Sequence, residues 1–261
     1  MNRIKGYLFA VALVAATFTI PQSALAVGGP GPGAGQQDVA SAVKSKLNKS
    51  QFKNVQVSVD ANGIVTLSGT VSLAEYKDDA DKTAHKVKGV MAVRNVITVS
   101  GPSLSDAQLQ KTLGEKLAYA RVGYGNVFDA VTLQVQNGVV TLGGHVHDYP
   151  NRDAYVGTVA TTPGVQDVVD NISVDPLSQM DDRIRIQVAQ AVYGFPSLNK
   201  YAIDPAKPIR ISVQNGNVEL YGVVDSEADK DAAGIRANAV PGVFSVKNYL
   251  QVAGQPSESQ M

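Results

Sequence analysis

Chemistry in this chain would have to start from its histidines, since it has three of them and no cysteine. His145 and His147 are two residues apart, and on a strand that spacing turns both to one side. Two imidazoles on one side begin a metal site, for which Asp148 is the one neighbouring third ligand. The same residues also suit a plain strand end and helix cap. The corresponding positions elsewhere in the chain hold Thr70 and Ser72, or Val223 and Asp225. The second reading is preferred, so no metal and no cofactor are expected. His85 sits in a helical pattern and is expected on a solvated face. GGPGPGAG, Gly28 to Gly35, has the glycines of a phosphate loop but follows no strand and lacks the P-loop lysine. No nucleophile elbow or Ser-His-Asp arrangement is visible, and no two carboxylates are placed across a pocket. The expectation is a chain with no catalytic residues.

Residues suited to binding are easier to find. Lys46 and Lys49, spaced by three, are expected on one helix face, with Lys53 close behind. Lys82 and Lys86, spaced by four, are expected on a face of a second helix. Near an anionic membrane each lysine contributes about 1 kcal/mol of attraction. These five are the lipid-binding candidates, and a solvated helix face is the alternative reading. A second set is aromatic: Tyr124 and Phe128 follow one helix, and Phe195 and Tyr201 follow another, on long loops. Such aromatics either contact a partner or fold back over a small core.

The rest of the chain must position these groups. Arg3 and Lys5 precede an apolar run from Tyr7 to Ile20, then Ala24-Leu25-Ala26. That pattern is a secretory signal peptide over 1–26, cut after Ala26, which implies the periplasm. Its apolar run of about 14 residues is short for a membrane span. Residues 27–37, VGGPGPGAGQQ, read as a flexible spacer. The chain has no net charge. Gln36 to Gly101 holds nine Lys/Arg against six Asp/Glu, whereas Pro102 to Pro176 holds four against eight. No basic footprint supports nucleic-acid binding.

One hairpin occurs three times: NGIVTLSG from Asn62, NGVVTLGG from Asn137 and NGNVELYG from Asn215, 75 and then 78 residues apart. That spacing exceeds a solenoid period of roughly 20–50 residues and fits tandem domains. Domains so small bury about 60% of their unfolded surface, so neighbouring copies are expected to dock. A helix opens each copy: Val39, Val43, Leu47; Leu109, Leu113, Leu117; Ile184, Val188, Val192. Ser105 with Gln108 and Ser178 with Asp181 supply caps. Alternating strands follow, through Val55, Val57, Val59, then Val131, Leu133, Val135, then Ile209, Ile211, Val213. Asn137-Gly138 and Asn215-Gly216 signal two-residue turns, and the first copy, with Gly63, is longer by a residue. Gly69, Gly144 and Gly222 mark a bend or a close backbone approach. A second helix and a last strand complete an α-β-β-α-β order. The economical packing is α+β, with two helices on one face of a three-stranded sheet.

The order and the motif resemble the BON domain. The match rests on Gly63, Leu67, Gly69, Gly89, Val90, Val93, Asn95 and Val99 in the first copy. Gly138, Leu142, Gly144, Gly164, Val165, Val168 and Val174 carry it in the second, with Asp170 in the place of Asn95. Gly216, Leu220, Gly222, Gly242, Val243, Val246, Asn248 and Val252 carry it in the third. Boundaries are expected at 38–101, 102–176 and 177–254, with a disordered tail over 255–261. The resemblance implies a non-catalytic periplasmic protein of the cell envelope, attaching to phospholipid or to envelope proteins under osmotic or envelope stress. The alternative is a chaperone-like adaptor that uses three modules multivalently.

Overall fold

The structure, a computed structural model, describes residues 34–120, 125–205 and 207–254. The expected signal peptide, most of the spacer, Tyr124 and the expected tail lie outside these residues. The first module runs α1 (Ala34–Lys46), a 3-10 turn (Ser50–Phe52), β1 (Val55–Val59), β2 (Ile64–Val71), α2 (Ala74–His85), β3 (Ala92–Asn95) and β4 (Thr98–Val99). Helix α1 already includes Ala34 to Gln37, so the last four residues of the expected spacer are helical. The second module runs α3 (Asp106–Tyr119), a 3-10 turn (Asn126–Phe128), β5 (Ala130–Gln136), β6 (Val139–Val146), α4 (Tyr149–Ala160), β7 (Asp167–Asp170) and β8 (Ser173–Val174). The third runs α5 (Gln179–Tyr193), a 3-10 turn (Asn199–Ala202), β9 (Arg210–Gln214), β10 (Asn217–Tyr221), β11 (Val223–Val224), α6 (Glu227–Asn238), β12 (Ser245–Asn248) and β13 (Gln251–Val252).

In each module the second strand is central. β2 pairs antiparallel with β1 and parallel with β3, β6 does so with β5 and β7, and β10 with β9 and β12. The two-residue turns form as expected: Asn137 and Gly138 have φ of 52° and 74°, and Asn215 and Gly216 have 52° and 75°. Their backbone N–H groups donate to a carboxylate of the opening helix, Asp106 in one module and Asp181 in the next. In the longer first loop Asp60 does this locally, accepting from the N–H of Asn62 and of Ile64. Gly144 has a φ of 89°, and a Cβ there would strike the carbonyl oxygen of Ala130 on the next strand. Gly69 is held in the same way against Asn54. At Gly222 the central strand breaks outright, into β10 and β11.

The last strand is not continuous either. In the first module it breaks between Asn95 and Thr98, where the Asn95 amide donates to the Lys77 carbonyl and accepts from the Ile97 N–H. Asn248 makes the same two bonds to Lys230 and Leu250. Asp170 still accepts from Ile172, but a carboxylate has no N–H to give to the helix. It pairs with the Arg152 guanidinium instead, at 2.7 Å. The motif asparagine is therefore a tie between strand break and helix.

The modules dock. Valines, leucines and alanines of the first two form one continuous core, and α2 packs on α4. Lys77 reaches Asp167 of the second module at 2.6 Å. The third module has its own core, from Ile184 to Leu250, on which Phe128 of the second module rests. A buried ion pair joins these two: Arg185 on α5 donates to Asp175, 3.0 Å away, and to the carbonyl of Val213. Gln214 donates to the other oxygen of Asp175. Arg210 bridges the same junction, donating to the carbonyls of Asn126 and Asp129. Among the described residues no helix is long and apolar enough to cross a membrane.

Candidate functional site

At one end of every module the central strand leaves the sheet and the second helix begins, beside the 3-10 turn that precedes the first strand. The three copies fill this notch differently. In the second module it holds Asp129, fully buried. Its carboxylate accepts from the His147 N–H at 3.1 Å, His147 Nδ1 at 2.8 Å, the Asn151 amide at 2.6 Å and the Tyr155 hydroxyl at 3.1 Å. On the other side of the ring His147 Nε2 stands 3.3 Å from Asp148. The hydrogen bond to Asp129 raises the His147 pKa above its ordinary 6.5, against the opposing effect of burial. Burial, with the Asp129 charge beside it, raises Tyr155 strongly as well.

In the third module the buried carboxylate comes from the helix. Asp229 accepts from the Tyr201 hydroxyl at 2.8 Å and pairs with Lys200 at 2.9 Å, while Lys200 also reaches Asp225 at 2.8 Å. Burial pushes the Asp229 carboxyl up, but its bonds from Lys200, Tyr201 and Ser197 outweigh this and hold it below the ordinary carboxylate value. Each of these notches thus combines a basic side chain, a tyrosine hydroxyl and a carboxylate.

The first module departs from this pattern. Its notch is a cavity of about 460 Å³ lined by Ser50, Lys53, Asn54, Thr70, Ser72 and Tyr76 among others, with no Asp or Glu. Ser72 stands where the other modules have His147 and Asp225, and Tyr76 where they have Asn151 and Asp229. Cation and tyrosine are present and the carboxylate is not. Comparing the three copies position by position in the sequence would have found Ser72 and Tyr76 at these places, because from the turn glycine onward the copies align without gaps up to the second helix.

The five candidate lysines do not form one patch. Helix α1 ends at Lys46, so Lys49 lies beyond it, next to the 3-10 turn, and does not share a helix face with Lys46. Lys46, Lys49 and Lys53 are nevertheless together at the notch end, with Lys44, because the helix runs towards that end. All four are exposed, and none has an ion-pair partner among the described residues. Lys82 and Lys86 are at the other end, where α2 finishes beside the start of β3. Lys82 is already paired with Asp78, at 2.6 Å, and that hydrogen bond raises its pKa.

The histidines belong to separate clusters. His147 faces Asp129, whereas His145 Nδ1 faces Gln214 at 3.2 Å and Asp175 at 3.6 Å across the junction with the third module. His85 lies on the exposed side of α2, 3.2 Å from Asp81. Among the described residues no three His, Cys, Asp or Glu side chains are grouped closely enough to hold a metal ion.

The loop aromatics turn inward. Tyr201 is 5% exposed and engaged by Asp229, which removes it from the partner-contact candidates. Phe128 is half-buried at the junction, edge-on to His147 with ring centroids 6.0 Å apart. Phe195 is half-buried under the Arg236 guanidinium, 4.1 Å from its ring centre. Small cores recruit such rings because each contributes a large apolar area. The most exposed large apolar side chains near the hairpin turns were missed by sequence reading: Met91 at 78% and Phe244 at 84%. They occupy one equivalent position, each donating its N–H to the turn glycine's carbonyl.

A family model described as "BON domain" matches residues 36–101, 105–176 and 197–254. The osmotically-inducible protein Y of Escherichia coli (strain K12) is 23% identical over 201 residues, covering 76% of this chain and 96% of that protein. Among solved structures, CdsD, a structural protein of the type III secretion system of Chlamydia trachomatis, is similar with a TM-score of 0.23 and 16% identity, over 85% of this chain and 94% of that one. The periplasmic domain of the type III secretion inner membrane protein PrgH from S. typhimurium gives 0.21 and 9%, over 81% and 99%. Both scores are too low to signify a shared arrangement of the whole chain.

Proposed function

The chain belongs to the BON domain family, and from that premise we propose that it is a non-catalytic binding protein of the periplasm whose first module attaches to anionic phospholipid surfaces. One observation carries this reading. Lys44, Lys46, Lys49 and Lys53 converge on one end of the first module with no ion-pair partner among the described residues. The corresponding ends of the other modules hold basic side chains too, but His147 and Lys200 are matched there by Asp129 and by Asp225 with Asp229. Unmatched lysines gathered at one end attract a negative surface within a Debye length and give weak, salt-sensitive attachment. The signal-peptide pattern supports export, and the osmotically inducible relative supports a role under osmotic or envelope stress.

The test is co-sedimentation of the mature protein with phosphatidylglycerol and with phosphatidylcholine vesicles, at low and high salt. Binding to the anionic vesicles alone, lost at high salt, is the expected result. Absence of binding to both would remove the membrane reading and move the function to a protein partner, to be trapped by crosslinking in the periplasm.

A further inference from the structure

We propose that the notch of the first module is an oxyanion site, which takes a phosphate group from outside the chain where the second and third modules carry a carboxylate of their own. The three notches are one structural position solved twice from within. Asp129 enters from the loop before β5 and Asp229 from helix α6, yet each is met there by a tyrosine hydroxyl and a basic side chain, His147 or Lys200. The first module supplies Tyr76 and Lys53 around a cavity of about 460 Å³ and places no carboxylate in it. Glu75, the neighbouring residue on α2, does not line the cavity.

The lining states the ligand's chemistry. The hydroxyls of Ser50, Thr70, Ser72 and Tyr76 and the ammonium of Lys53 have no hydrogen-bond partner in the chain among the described residues. Hydroxyls donate as well as accept, but an ammonium only donates. A cation would be repelled by Lys53, and a neutral polyol would leave its charge unmatched. An oxyanion accepts from all of them, and its bond to the ammonium is charge-assisted, about twice as strong as a neutral one. Phosphate offers three strong acceptor oxygens, which suits a ring of several donors better than a single carboxylate does. The volume lies within the roughly 300–1,000 Å³ usual for small-molecule sites, which leaves room for a group esterified to the phosphate. A free phosphate ester and a phospholipid headgroup share this chemistry. The site includes Lys53 of the lysine-rich end but does not depend on attachment to membranes.

The test is an NMR titration of the mature protein with inorganic phosphate and with glycerol 3-phosphate, using chloride at matched ionic strength as control. Saturable shifts at the amides of Lys53, Ser72 and Tyr76, absent with chloride, are expected. K53M and Y76F should each weaken binding about tenfold. S72D places a carboxylate where Asp225 pairs with Lys200 in the third module, and should abolish binding by pairing with Lys53. Absence of saturable shifts, or shifts unchanged in both K53M and S72D, would overturn the proposal. A second arm adds phosphate to protein bound on phosphatidylglycerol vesicles. Release by phosphate but not by chloride identifies the lipid headgroup as ligand. Saturation in solution without specific release still supports the notch and assigns it a free phosphate ester.

Discussion

The two lysine groups of the first module make opposite predictions about which end meets a membrane. Helix α2 has 12 residues, so the notch end and the hairpin end are separated by about 18 Å along its axis. That is close to twice the Debye length of about 10 Å at 0.1 M salt. A surface touched by the notch end therefore scarcely senses Lys82 and Lys86, and Lys82 is in any case paired with Asp78 at 2.6 Å. Lys46, Lys49 and Lys53 have no such partner among the described residues, and each contributes about 1 kcal/mol near an anionic surface. Replacing all three by glutamine should cost about 3 kcal/mol, which is on the order of a hundredfold in partition. Replacing Lys82 and Lys86 together should change partition by less than about threefold, from the same screening argument. The assay is co-sedimentation with phosphatidylglycerol vesicles across a lipid series, with circular dichroism to show that each variant is folded. If the hairpin-end variant loses as much as the notch-end variant, or more, the notch end is not the end that meets the membrane, and the hairpin end with its exposed Met91 is.

Other outcomes follow from the packing. His147 has a folded pKa above its unfolded value, so its pairing with Asp129 stabilises fully below about pH 6.5 and fades as pH rises through the folded value. The difference in melting temperature between the native protein and His147→Gln should therefore shrink as pH rises above about 6.5, and a difference that grows would contradict this. Arg185→Met leaves the fully buried Asp175 hydrogen-bonded to Gln214, with His145 3.6 Å away, and should cost about 3–5 kcal/mol by urea denaturation, with Asp175→Asn added to it recovering part. Gly144→Ala drives a Cβ into the Ala130 carbonyl at a φ of 89° and should cost about 3 kcal/mol in the same assay. Gly222→Ala should cost less, since its Cβ would be 2.7 Å from the Pro208 carbonyl at a point where the strand already breaks.

The repeating architecture was legible because its causes are local. An Asn-Gly turn needs positive φ at two adjacent positions, and alternating valines on either side fix which face of the strand is buried. Those constraints determined three modules, their helix and strand order, the Ser105 and Ser178 caps and the need for glycine at 69, 144 and 222. The site was only half legible. Lysine spacing on a helix says which residues share a face, but not where the helix ends. The chain leaves α1 at Lys46, and the crossover from β2 to β3 sends α2 to the far end, so tertiary structure divided five candidates into two groups. The loop aromatics were ambiguous for a related reason, since burial depends on what packs over a loop and not on the loop's own residues. His147, Tyr201, Asp129 and Asp229 are far apart in sequence, and only closure of each module around its core brought a basic side chain, a hydroxyl and a carboxylate to one notch. In the first module the same closure gathered lysine and tyrosine around a cavity that none of its own carboxylates reaches.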